Sequence, residues 1–183
     1  MKNLFVYLIN YFVVFINLFR GVPQTITNLD VKSYMGTWYQ PYTNILPVAT
    51  FERNSYCVTA NYKLNSNNTI SVINSNRIGS PNGILNTLHG IATPTDIAKF
   101  DLYLDTAPVN GTYWILAVGP KLKNKYEWSI VSDSSGLFLF ILARDIKRFN
   151  KMYEKDVLKL SNSLGFTGIL QPIKKYQGSA CVY

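Results

Sequence analysis

The sequence predicts an all-β domain followed by one helix, and three observations carry that prediction. Short runs of alternating apolar and polar residues recur along the chain, clusters of turn-forming residues separate them at regular intervals, and one late segment switches to the three-to-four-residue spacing of an amphipathic helix. Such strand spacing is that of a sandwich or an up-and-down barrel. Of the 183 residues, 48% are hydrophobic and 14% aromatic, with 13 Tyr and 10 Phe, a balance that favours strands and a large apolar interior. Charged residues make up only 15%, which argues against a disordered chain.

The first element is a leader. Residues 1–21 place Lys2 before an apolar run from Leu4 to Phe19, broken by Asn10 and Asn17 and closed by Arg20. A membrane span needs about 20 apolar residues and this run is shorter, so it reads as a secretory signal peptide ending near Gly21, with an uncleaved anchor as the alternative. Residues 22–183 are then long enough for one domain and short for two.

Eight strand candidates follow: Thr37–Tyr42, Cys57–Leu64, Thr69–Arg77, Ile84–Ala92, Ala98–Leu104, Thr112–Val118, Tyr126–Ser132 and Leu137–Ala143. The breaks between them are Asn65 to Asn68, Ser80-Pro81-Asn82-Gly83, Thr93-Pro94-Thr95-Asp96, Asn110-Gly111, Gly119-Pro120 and Asp133 to Gly136. Neighbouring side chains on a strand point opposite ways. Alternation therefore turns Val58, Ala60, Tyr62 and Leu64 inward, together with Ile70, Val72 and Asn74, with Leu88, Gly90 and Ala92, and with Phe100, Leu102 and Leu104. Phe138, Phe140, Leu142 and Arg144 share one face of the last strand. At Tyr113 and Trp114 both faces are apolar, so alternation does not choose between them. From Ile146 to Leu164 the apolar residues Phe149, Met152, Tyr153, Val157, Leu160 and Leu164 recur every three or four positions, opposite several lysines, and Gly165 closes this helix.

Composition and motif content exclude several functions. The net charge of +8 permits contact with an anionic membrane surface, yet no basic run interleaved with aromatics forms a nucleic-acid track. The single histidine, His89, falls on an outward face, no serine–histidine or paired-carboxylate constellation assembles, and no metal-ligand set exists. No catalytic residue, metal or cofactor is expected. The two cysteines, Cys57 and Cys181, are expected to pair if the leader delivers the chain to an oxidising compartment; two free thiols are the alternative.

Three elements together resemble the lipocalin family: Gly36-Thr37-Trp38 opening the first strand, Tyr126-Glu127-Trp128, and Ile141-Leu142-Ala143-Arg144 ending the last strand before the helix. The stretches NLDVKSYMGTWYQ, CVTANYKLN, ISVIN, GIATP, YWILAV and FLFILAR are most similar to the branch of apolipoprotein D and the bacterial outer-membrane lipocalins, over about Asn28 to Tyr183. The resemblance implies an eight-stranded antiparallel up-and-down β-barrel with the helix packed outside. It also implies that Arg144 covers Trp38 at the closed end, with Gly36 leaving room for the turn, and that a Cys57–Cys181 disulfide ties the tail to the second strand. One departure is Lys125, where the family usually carries an acidic residue before the tyrosine.

An eight-stranded barrel is just wide enough inside for side chains or one small ligand. The expected lining is Tyr62, Val72, Asn74, Leu88, Phe100, Leu102, Leu104, Trp114, Phe140 and Leu142, mostly apolar with Asn74 and Tyr62 as polar handles. That character suits a fatty acid, lysolipid, sterol or tetrapyrrole carried by a secreted, monomeric protein. A lipocalin-fold enzyme such as an isomerase and a membrane-surface lipid-binding module are the alternatives. Asn67-Asn68-Thr69 and Asn110-Gly111-Thr112 match the N-glycosylation sequon at Asn67 and Asn110.

Overall fold

In a computed structural model, residues 21–105 and 110–183 are described; the leader lies outside them, as does most of the loop after Asp105. A short helix, α1 (Val31–Tyr34), opens the fold, capped by Asp30, whose carboxylate accepts from the backbone N–H and hydroxyl of Ser33. Strand β1 (Gly36–Thr43) follows, then helix α2 (Ile45–Ala49) and strands β2 (Ser55–Leu64), β3 (Ile70–Ile78), β4 (Ile84–Asp96), β5 (Lys99–Leu104) and β6 (Gly111–Val118). A two-residue hairpin, β7 (Lys121–Leu122) and β8 (Lys125–Tyr126), turns through Lys123 and Asn124, both at positive φ as the tight hairpin turn demands. Strands β9 (Trp128–Ser132) and β10 (Leu139–Ala143) complete the wall, and α3 (Ile146–Met152), α4 (Glu154–Ser163) and β11 (Ile173–Lys174) end the order of elements.

The sheet runs β10-β9-β6-β5-β4-β3-β2-β1-β11, and β1 also pairs with β10. The wall is therefore a closed, eight-stranded antiparallel barrel. Two apolar layers hold it. Inside lie Tyr34, Trp38, Ala60, Tyr62, Ile70, Val72, Phe100, Ile115, Val131 and Leu142. Outside, Tyr42, Leu116, Ile130, Leu139 and Ile141 meet Phe149 and Val157 of the helices. Burying a large apolar side chain is worth about 1.5–3 kcal/mol, so the helical layer is a second core and not a decoration.

Three local outcomes differ from expectation. The helix is split: Tyr153, at φ −128°, ends α3 and begins α4, and its hydroxyl joins Arg148 in holding the buried Glu127 carboxylate. Thr93 to Asp96 belongs to β4 and is not a break, because Pro94 sits opposite Phe100 and a register shift between Pro94 and Asp96 absorbs its missing N–H. Finally, Tyr126 belongs to the small hairpin, and the wall strand begins at Trp128.

The C-terminal segment forms part of the wall. Strand β1 pairs with β2 only from Gly36 to Tyr39 and then bulges between Tyr39 and Tyr42. Beyond that point β11 pairs with Tyr42 and Thr43, and Lys175 N donates to Pro41 O at 2.8 Å. The Gln177 amide donates to both Gln40 O and Val58 O, at 3.2 and 2.7 Å, and Cys57 N donates to Tyr176 O. The tail is thus a stave fitted between β1 and β2. The Cys57–Cys181 disulfide fastens it, across a sequence separation of 124.

Candidate functional site

The closed end is built around Trp38, which is fully buried. Gly36, at φ +102°, lets the chain enter β1 in a conformation that a side chain resists. The Arg144 guanidinium lies 3.6 Å from the centre of the Trp38 ring, and five carbonyls accept its N–H groups: those of Ser33, Tyr34, Met35, Thr37 and Tyr126. Burial lowers its pKa to about 10, which leaves it charged at neutral pH. The cation-over-indole contact expected from the resemblance is present, and the five carbonyl bonds add a larger task that no motif announces. Arg144 ties the end of α1 to the start of β1. Beneath it, Lys121 pairs with Asp30 and Lys125 donates to Lys32 O and Met35 O, so two of the three hairpin lysines are committed to the floor.

Above Trp38 stands a chain of hydroxyls. Tyr62 Oη donates to Tyr113 Oη at 3.2 Å, Tyr113 and Tyr34 share a 2.7 Å bond, Tyr34 Oη donates to Ser129 Oγ at 3.0 Å, and Ser129 Oγ donates to Ala117 O at 3.2 Å. The rings of Tyr34 and Tyr62 stack with centroids 5.9 Å apart, and Tyr113 meets both edge-on. Burial pushes the Tyr62 hydroxyl up to about 12, and Tyr34 and Tyr113 also rise, so all three are neutral across the physiological range.

Of the ten residues expected to line the interior, nine are placed on the inner face and one is not. Tyr62, Val72, Phe100 and Leu142 belong to the buried interior layer. Leu102, Leu104 and Phe140 pack against it while keeping part of their surface open. Asn74 and Leu88 sit opposite each other one step nearer the mouth, with Asn74 also opposite the inward Ala60, and both are half-buried. Trp114 is the correction: it packs in the outer layer, with Lys99 Nζ 4.9 Å from its ring, while Tyr113 and Ile115 take the inner face. The register decides what composition left open, because Tyr113 pairs with the inward Phe100 and Trp114 with the outward Lys99. Tyr34, Tyr113 and Ser129 were missed; the hydroxylated types were visible, but no spacing links three residues on different elements.

The mouth is rimmed by α2 and the loop to Ser55, by the β3–β4 turn and by the β9–β10 turn. Phe51, 64% exposed, stacks on Phe138 at 5.9 Å and on the wall residue Phe140 at 6.4 Å. Beside it, the buried Glu52 carboxylate accepts two bonds from the Gln40 amide and faces the buried Lys175 at 3.6 Å. Burial raises the Glu52 pKa against the pull of Gln40 and Lys175. Ile78, Ile84 and Leu85 stand exposed on the β3–β4 turn. The arrangement is a cup: a sealed floor, a half-open apolar wall and an aromatic lip.

Comparison with known proteins agrees with this architecture. Residues 29–174 match the family described as a lipocalin-like domain, and the chain belongs to the lipocalin family, whose members bind and carry small hydrophobic molecules. Temperature-induced lipocalin-1 of Arabidopsis thaliana is 28% identical over 143 residues, 74% of each chain. Apolipoprotein D of Bos taurus is 36% identical over 102 residues, 52% of this chain and 49% of the relative, so the match spans about half of that protein. Among solved structures, insecticyanin of the tobacco hornworm Manduca sexta superposes with a TM-score of 0.65 at 19% identity, covering 90% of this chain and 89% of that one. Lobster apocrustacyanin A1 gives 0.59 at 18% identity, covering 83% and 82%. These two likenesses concern the fold.

Proposed function

We propose that the protein is a secreted carrier that holds one small hydrophobic molecule, a fatty acid, lysolipid, sterol or tetrapyrrole, in the mouth half of the barrel without chemical turnover. The observation that carries this reading is the contrast inside the barrel. Trp38, Tyr62, Val72, Phe100, Ile115 and Leu142 in the lower interior are buried, whereas Asn74, Leu88, Leu102, Leu104 and Phe140 face the same interior and stay half-exposed, which points to space above the floor. Binding would bury that apolar surface, the main driving force for a ligand of this class. Against an enzyme stands the disulfide, which leaves neither Cys57 nor Cys181 as a free thiol nucleophile.

In this reading the leader is removed near residue 21, residues 22–183 work as one monomeric domain, and the exposed Asn67 and Asn110 carry glycans where the host adds them. The decisive experiment is native mass spectrometry of the secreted protein with extraction of whatever co-purifies, followed by titration of the tryptophan fluorescence with that lipid class. Saturable one-site quenching is expected; titrations that never saturate with any apolar ligand would refute the carrier.

A second reading has its own observation. Phe51, Ile78, Ile84 and Leu85 are exposed together around the mouth, beside the cationic Arg53, which suits transient contact with an anionic lipid surface during loading. Flotation with phosphatidylserine vesicles that weakens as salt rises would support it, and no flotation at low salt would end it.

A further inference from the structure

The hydroxyl chain on the floor has a direction. Each tyrosine or serine hydroxyl owns one proton, and a carbonyl owns none to give. Ser129 spends its proton on Ala117 O, Tyr34 spends its own on Ser129, and Tyr113 must therefore donate to Tyr34, which leaves Tyr62 to donate to Tyr113. The order Tyr62, Tyr113, Tyr34, Ser129, Ala117 is pinned at its far end by an atom that only accepts. At its near end, Tyr62 Oη has given away its proton and receives no hydrogen bond from any described residue.

Tyr62 stands on the inner face of β2, opposite Val72, and Asn74 lies one inward step farther along β3. The Asn74 side chain is half-buried, faces the cup and makes no hydrogen bond among the described residues. The floor of the cup therefore offers a hydroxyl oxygen that only accepts, with a free amide above it.

Resting on the carrier reading above, we propose that the Tyr62 hydroxyl and the Asn74 amide form a head-group site that selects neutral apolar ligands bearing an O–H or N–H at the end that enters first. A ligand hydroxyl donates to Tyr62 Oη and accepts from the Asn74 amide. A carboxylate has no proton to give and meets Tyr62 lone pair to lone pair. It binds this way only if Tyr62 turns its proton outward and gives up the bond to Tyr113, or if the whole chain reverses and strips Ala117 O of the Ser129 bond; either way one hydrogen bond of the floor is lost. An ether meets the same obstacle without the charge. The site thus discriminates through groups that never touch the ligand, Tyr113, Tyr34 and Ser129, because they fix which way Tyr62 points its proton.

The test uses the intact disulfide-bonded protein, freed of co-purifying lipid, and three probes of one chain length: 1-decanol, methyl decyl ether and decanoate, each titrated calorimetrically. Decanol is expected to bind about tenfold more tightly than either of the others, roughly what one hydrogen bond kept or lost inside a site yields. Tyr62→Phe keeps the stacked ring and should erase the preference for decanol over the ether, with little change in the affinity for the ether. Ser129→Ala frees Tyr34 from its acceptor and unpins the chain, so it should narrow the gap between decanol and decanoate while Tyr62 remains in place. Circular dichroism on both variants confirms folding before titration. Equal affinities for the three probes in the wild type, or a preference unchanged in Tyr62→Phe, would overturn the head-group site and leave the carrier intact. If none of the three binds, nor any other apolar ligand, the carrier reading fails with it.

Discussion

The closed half of the barrel and its mouth half are made of the same eight strands and solve different problems. Toward the floor, Trp38 is fully buried, the Arg144 guanidinium is matched to five carbonyls, and the tyrosine hydroxyls are joined in one chain. Toward the mouth, Asn74 has no side-chain partner among the described residues, Leu88 and Leu104 are half-exposed, and Phe51 leans over the wall with most of its surface in water. The difference separates stability from affinity. A buried group without a partner costs free energy, and the arginine and the hydroxyls of the floor are paired, whereas a half-buried amide above them is what a ligand has to gain from.

Substitutions can break that separation or sharpen it. Trp38→Ala removes a fully buried indole and the surface on which Arg144 rests; it should cost about 3–5 kcal/mol in urea unfolding, and a loss under 1 kcal/mol would mean the floor is not the anchor. Replacing both Cys57 and Cys181 by Ala should cost about 2–5 kcal/mol by freeing the unfolded chain, although the bridge lies toward the mouth, and a melting temperature unchanged by the double replacement would argue that the other tail contacts suffice. Arg144→Ala leaves buried carbonyls of Tyr34, Met35 and Thr37 without a donor and should cost about 2–3 kcal/mol while ligand preference is kept; altered selectivity would show that Arg144 also holds the hydroxyl chain in place.

Alkaline titration tests the floor without mutation. Tyr62 is raised to about 12, with Tyr34 and Tyr113 raised as well, so the folded state holds those protons more tightly than an unfolded chain whose tyrosines ionise near 10. Their contribution is fully present below pH 10 and is lost as pH climbs toward 12 and beyond; Arg144, lowered to about 10, works in the opposite sense, one group against three. The denaturation midpoint should fall over that window, and tyrosinate absorbance from these residues should appear only with unfolding. Normal titration of all tyrosines near pH 10 in the folded protein would contradict the buried chain. The smallest effect is expected at the lip: Phe51→Ala should change stability by less than about 0.5 kcal/mol yet speed ligand dissociation, and an unchanged off-rate would remove Phe51 from the gate.

The barrel, its outer helix and its disulfide were legible in the sequence for reasons that are local or carried by motif. Alternation around Val72, Leu102 and Leu104 reads as an inner face, since most of the opposite positions, Ser71, Ser75, Asp101 and Asp105, are polar or charged. Tyr113 and Trp114 defeat the same test because one strand is apolar on both sides, packed against the inner layer within and the helical layer without. The hydroxyl chain was hidden for a different reason. Its members come from α1, β2, β6 and β9, and only barrel closure brings them within bonding distance. The split at Tyr153 was hidden as well, because the pull of Glu127 on its hydroxyl is tertiary and leaves the periodicity of the helix intact.

The tail stave has a bearing on how such a barrel is made. Residues 173–177 close the wall between β1 and β2 near the mouth, so a nascent chain that has already paired all eight strands still carries a gap along one seam. The floor contacts draw on nothing beyond Arg144, whereas the seam needs residues 173–177, so a shorter chain suffices for the floor than for the seam. The Cys57–Cys181 disulfide then fastens a tail whose backbone contacts already fill that seam. On a ribosome-tethered chain truncated before Ile173, the floor should already resist protease while cleavage continues near Gln40 and Val58.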